Sequence, residues 1–152
     1  MAKAGLAFFC GLAKDRGASH ALIVPTATVV TAPWVRVKCQ FGCGGYGERL
    51  TCPPYSPTPE QTRQILDSYG KALLIHGDEW TDLRKMVVAL EREIFLKGFY
   101  KAFAMASGPC DLCSTCNVKK PCVNPDARPS MEACGIDVFQ TVRNHGLPIE
   151  VL

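Results

Sequence analysis

Residues 108–122 read GPCDLCSTCNVKKPC, a run whose thiols are spaced Cys110-x2-Cys113-x2-Cys116-x5-Cys122. Thiolates this close in sequence can converge on one metal centre at little cost in loop closure. A second group stands upstream in residues 38–57, KCQFGCGGYGERLTCPPYSP, as Cys39-x3-Cys43-x8-Cys52. Seven of the nine cysteines therefore lie in two short clusters. Nine is odd, so a complete set of internal disulfides is impossible, and C-x2-C-x2-C spacing suits metal ligation better than disulfide pairing. The chain reads as a metalloprotein of a reducing cytoplasm.

Outward from these two segments, helix and strand signals alternate. Residues 3–16 predict a helix, with Leu6, Phe9, Cys10 and Ala13 at spacings of three and four and Gly17 as its stop. Residues 21–24 and 28–31 read as short strands around Pro25. The Gly- and Pro-rich stretch from Phe41 to Pro59 reads as a loop folded around something. Thr58, Pro59 and Gln61 form a helix start with a capping box, and that helix runs to about Tyr69 before Gly70. Residues 72–76 read as a buried strand. Thr81 to Lys97 predicts a helix with Leu83, Val87, Leu90 and Ile94 on one face, ended by Gly98. Residues 100–106 read as a further strand. Ser130 caps a short helix stopped by Gly135, Asp137 caps another stopped by Gly146, and the terminal PIEVL reads as a last strand. The fold class expected is α/β: a single-domain sandwich of a small mixed sheet with helices, its two cysteine-rich loops brought together at one end.

Composition narrows the function classes. With 152 residues and 47% hydrophobic content, the chain suits one globular domain. Its net charge of +3 comes from scattered Lys and Arg, so nucleic acid is not an expected partner. No run of about 18 apolar residues is present, so no membrane span is expected. The apolar start AGLAFFCGLA is followed by Lys14, Asp15 and Arg16 without an A-x-A site, and reads as a helix of the mature protein rather than a signal peptide.

The downstream run resembles the ferredoxin pattern, in which three thiolates at x2 spacing wrap a cubane cluster and backbone N–H groups face its sulfides. It departs from that pattern at Cys122, which follows after five residues and is preceded, not followed, by a proline. The longer loop lets Cys122 close the same cluster as Cys110, Cys113 and Cys116. Zinc is the alternative, since four thiolates also make a closed tetrahedral site.

The upstream group has only Cys39, Cys43 and Cys52. Gly42, Gly44, Gly45 and Gly47 allow close backbone approach, and Pro53–Pro54 covers the last thiolate without offering an N–H. Three ligands leave three arrangements open. A distant residue completes the site, with Cys134 first and His20, His76 or His145 behind it. The fourth position is open to a small ligand. Or the segment holds zinc with a water.

Other polar residues have plainer readings. Cys10 sits on the apolar face of the first helix and reads as core. His76 ends a buried strand and reads as a partly buried histidine. Glu48, Arg49, Asp78 and Glu79 read as solvated surface. Arg128 and Arg143 either offset cluster charge or lie on the surface. FGCGGYG lacks the Lys-Ser or Lys-Thr of a phosphate loop.

Three segments together carry a family resemblance: VKCQFGCGGYGERLTCPPYSPTPEQTRQILDSY (37–69), ALLIHG (72–77) and GPCDLCSTCNVKKPCVNPDARPSMEACGIDV (108–138). They resemble the bacterial and archaeal predicted metal-binding protein family, domain of unknown function 2284, over residues 17–152, with residues 1–16 as an N-terminal helix. The resemblance implies metal or iron–sulfur binding by Cys39, Cys43, Cys52, Cys110, Cys113, Cys116 and Cys122. Cys10 and Cys134 are not part of that pattern. The expectation is one [4Fe–4S] cluster on Cys110, Cys113, Cys116 and Cys122, and a second centre on Cys39, Cys43 and Cys52. The expected role is electron transfer or redox assistance to a partner protein. The alternatives are a zinc-stabilised interaction module and an enzyme with an open iron at the upstream site.

Overall fold

The computed structural model describes residues 5–151. Its elements run α1 (Leu6–Asp15), β1 (His20–Pro25), α2 (Pro33–Gly42), α3 (Pro59–Asp67), β2 (Lys71–His76), α4 (Leu83–Leu96) and α5 (Val138–Arg143), with 3-10 turns at Thr26–Thr28 and Glu132–Cys134. The mixed α/β class expected of the chain holds. The sheet is narrower than expected: among the described residues it is a single antiparallel pair, registered from His20 opposite His76 to Pro25 opposite Lys71.

Helix ends follow the local chemistry. Thr58 and Gln61 form the capping box at α3, with Pro59 at the first helical position. Asp82 and Asp137 accept from Lys85 N and Gln140 N at the starts of α4 and α5. Gly17, Gly98, Gly135 and Gly146 lie at φ +106°, +102°, +80° and +70°, where a side chain would be strained. The first described helical residue is Leu6, so residues 3 and 4 of the expected helix lie outside the described residues.

Two apolar clusters hold these elements. One joins Ala13 of α1, Ala18, Ala21 of β1, and Met86 and Leu90 of α4, with Leu73 and Ile75 of β2 packed against it. Phe9 of α1 is buried and meets the Phe99 ring edge-on at 5.5 Å. Helices α1 and α4 thus pack against the two-stranded sheet. The other cluster joins Val29, Leu66 and Ile136, with Met105, Met131 and Val138 around it.

Three expected strands do not form, and in each the backbone finds other partners. At 28–31, the N–H of Val30 goes to Thr141 Oγ1, and only Thr31 makes an isolated bridge, to Ile136. At 100–106, the N–H of Ala104 goes to the Glu91 carboxylate, and only Ala106 bridges, to Ser130. The terminal stretch is irregular through Val151, and the Pro148 carbonyl accepts from His76 Nε2 at 2.9 Å. Conversely, residues 33–42, read in part as the start of a loop, form α2, with Pro33 in its first turn.

Residues 129–137 lace the cysteine end to this core. Ala106 N donates to Pro129 O at 2.8 Å and Met131 N returns to Ala106 O at 3.0 Å. Ala32 N donates to Gly135 O at 2.9 Å and Asp137 N to Val30 O at 2.8 Å. Ser56 Oγ and Thr62 Oγ1 donate to the carbonyls of Ala133 and Cys134 at 2.5 and 2.6 Å. These bonds set α2, α3 and both cysteine segments against one another.

Candidate metal centre

Helix α2 delivers the first two upstream thiols. Cys39 lies within it and Cys43 caps its C-terminus. The chain then turns, and Cys52 follows with its N–H bonded to Arg49 O at 3.0 Å and its side chain 9% exposed. Gly45 sits between two of these sulfurs: a Cβ built there would stand 3.6 Å from Cys43 Sγ and 3.8 Å from Cys52 Sγ. Its N–H points at Cys43 Sγ, 3.4 Å away. The Pro53–Pro54 peptide is cis.

The thiols feel one another. Burial pushes the Cys39 thiol up, and Cys43, Cys52 and Glu132 add to the rise against Arg36. Burial also pushes Cys52 up. The nearby Thr51 hydroxyl and the Arg49 guanidinium oppose it, while Cys43 and Cys110 reinforce it. Cys110 belongs to the downstream run, so the two cysteine segments face each other.

Two hydrogen bonds fasten that meeting. Arg49 Nε donates to Cys110 O at 2.8 Å, and Leu50 N donates to Cys116 Sγ at 3.4 Å. Arg84 Nε at the start of α4 lies 3.5 Å from Asp111 Oδ1. Between the segments lies a pocket of about 400 Å³ whose walls include Cys110, Cys113, Cys116 and Cys122 on one side and Gly44, Glu48, Arg49, Leu50 and Thr51 on the other. All four cysteines of the downstream run therefore border one space. All nine cysteines are free of disulfides.

Arg49 and Leu50 are the residues that reading the sequence missed. Arg49 is a partly buried tie between the two segments, not a solvated surface residue. The available signal was its place midway between Cys43 and Cys52, inside a segment otherwise devoted to thiols.

The remaining candidates lie elsewhere. Cys134 is fully buried, and burial pushes its thiol up to about 12, with a Thr62 hydrogen bond opposing and Glu132 adding. Cys10 packs half-buried against the α1–α4 core. His20 and His76 face each other across the paired strands, and His145 shares a hydrogen bond with Thr28; none of the three lines the cysteine pocket. Arg128 grips Glu91 with two nitrogens at 2.8 and 2.7 Å, which fixes the downstream run to α4. Arg143 lies over the Phe139 ring. Asp78 accepts from Trp80 N and Thr81 Oγ1 in a local turn. A larger apolar cavity of about 520 Å³ lies among core residues such as Phe9, Leu74 and Leu90, and no cysteine lines it.

The fold is mixed α/β, and it brings two cysteine-bearing segments together with no disulfide among the nine cysteines. The chain belongs to the predicted metal-binding protein family (DUF2284), whose model matches residues 22–152. No curated protein and no solved structure matches it. Among the described residues, no helix is long and apolar enough to cross a membrane.

Proposed function

We propose that this protein binds a [4Fe–4S] cluster through Cys110, Cys113, Cys116 and Cys122, and serves in electron transfer or as a redox accessory. The observation that supports the reading is the roughly 400 Å³ pocket that those four cysteines border. Three cysteines at x2 spacing within seven residues follow the ferredoxin pattern more closely than the two separated C-x2-C pairs of a structural zinc site.

The surroundings favour the same assignment. Cys116 Sγ receives the Leu50 N–H, and hydrogen bonds to cluster sulfur stabilise negative charge and raise the reduction potential. Arg49 brings a positive charge to the same wall. When bound, such a cluster supplies one-electron transfer. The chain contributes the thiolates, the N–H donors and the partial cover of Leu50 and Leu112. Cys39, Cys43 and Cys52 lie near one another beside this pocket, and we assign them to a second centre.

Iron and acid-labile sulfide analysis of anaerobically purified protein tests the reading. About four iron with matching sulfide, or about eight where both groups are loaded, is the expected result for cubane clusters. Stoichiometric zinc without sulfide would replace it with a zinc-stabilised interaction module.

A further inference from the structure

At one end of the two-stranded sheet, His20 of β1 and His76 of β2 form the first registered pair. Their Nδ1 atoms stand 3.4 Å apart and their ring planes cross at 68°. His76 Nε2 lies 2.9 Å from Pro148 O. A carbonyl only accepts, so in the neutral ring Nε2 carries the proton and Nδ1 carries the lone pair. The lone pair of His76 is therefore aimed at the His20 ring.

We infer that His20 and His76 chelate a divalent cation of the zinc class through their two Nδ1 atoms, at a site separate from the cysteine centre. Distance is the first argument. Metal–nitrogen bonds of about 2.0–2.1 Å at tetrahedral angles put two nitrogens about 3.4 Å apart, whereas square-planar cis ligands would sit near 2.9 Å. The observed 3.4 Å matches the tetrahedral bite. It is long for a well-formed hydrogen bond between the same atoms, which falls at about 2.7–3.2 Å for comparable donors.

The outer partner is the second argument. Metal-binding histidines characteristically donate their other N–H to a carbonyl or carboxylate, which fixes ring orientation and tautomer. Pro148 O does this for His76. The backbone beneath is also held, since Ser19 N donates to His76 O at 2.8 Å next to the pair. Among the described residues no third His, Cys, Asp or Glu joins the two rings, so water fills the other positions and the metal stays exchangeable.

The test uses the full chain with its cysteine centre loaded and zinc alone as the probe. Equilibrium dialysis against buffered zinc is run on the wild type, His20→Ala, His76→Ala and His145→Ala. The wild type and His145→Ala are expected to take up one zinc beyond the metal already bound, and the His20 and His76 variants to bind it at least tenfold more weakly. Cobalt in place of zinc should give weak d–d bands without thiolate charge transfer. His20 is exposed, so His20→Ala decides the matter if His76→Ala fails to fold. Equal zinc affinity in wild type and His20→Ala, or thiolate charge transfer from the added cobalt, would overturn the site. Iron and sulfide content of the same samples reports on the cysteine centre independently.

Discussion

Cys134 and Cys113 carry the same thiol in opposite settings. Cys134 has no exposed surface and its thiol is pushed up to about 12, while Cys113 is open to solvent on the pocket wall. Thiolate is the reactive form, so environment decides reactivity. In metal-stripped native protein, iodoacetamide should modify Cys43, Cys113 and Cys122 first and Cys134 only after unfolding. Peptide mapping by mass spectrometry reads the order, and early labelling of Cys134 would contradict the structure. Metal content should fall in Cys113→Ser and stay constant in Cys134→Ala. Arg49 is the other residue whose setting matters. Its bond to the Cys110 carbonyl joins segments 61 positions apart, and a charged hydrogen bond of this kind contributes about 1.5–3 kcal/mol. Arg49→Ala should lose metal to a competing chelator faster than the wild type, with unchanged helical circular dichroism. Equal loss rates would show that the bond does not hold the segments together.

Among the elements, the caps were legible in the sequence because they are local. Thr58 with Gln61, Asp137, and the glycines at 17, 98, 135 and 146 act within one turn of chain, and each does in the structure what its position implies. The lost strands were illegible because Val30 and Ala104 give their N–H groups to Thr141 and Glu91, far away in sequence. Helix α2 was missed although Pro33 marked its start, because the glycines after it read as loop. Gly135 is more than a stop. At φ +80°, a Cβ there would also lie 2.8 Å from Pro59 Cα, the first residue of α3. Gly135→Ala should therefore cost about 2 kcal/mol or more, from a strained left-handed backbone plus the clash. Urea unfolding measures it, and a change under about 0.5 kcal/mol would mean that the helix and turn separate freely. Glu91 links α4 to Arg128 and to Ala104 N, with side chains only 18% and 17% exposed for Glu91 and Arg128. Burial alone would raise its carboxyl, but the Arg128 and Ala104 hydrogen bonds and the guanidinium charge outweigh it, and the net shift is downward from 4.5. A depressed folded value means stabilisation present above 4.5 and lost as pH falls through the folded value. Glu91→Gln should thus be less stable than wild type by about 2 kcal/mol at neutral pH. The gap should close in acid, and a pH-independent gap would assign the loss to packing instead.

At the scale of the whole molecule, the protein has one end organised by apolar burial and another that carries seven of its nine cysteines. Around the strand pair, Ala13, Ala21, Met86 and Leu90 are packed out of water. Between Ala106 and Ser130 there is neither helix nor strand, and Val123 is 95% exposed. The two cysteine clusters stand out in the sequence because their spacing is a local property, and their meeting at one end was expected of the fold. The contacts that set that meeting were not legible, since residues 129–137 are laced to Ala32 and Ala106 over long range. A segment this poor in buried apolar surface depends on whatever its thiols hold, and metal binding then supplies folding free energy locally. Stripping the metal anaerobically should therefore open residues 107–129 while the α1–α4 core stays folded. Trypsin reads this at the Lys119–Lys120 bond, which lies in an exposed turn. Cleavage there should accelerate at least tenfold on metal removal, with helical circular dichroism nearly unchanged. If the helical signal collapses together with cleavage, the centre supports the entire fold and the two ends form one cooperative unit. If cleavage does not change, Cys110, Cys113, Cys116 and Cys122 do not hold that metal.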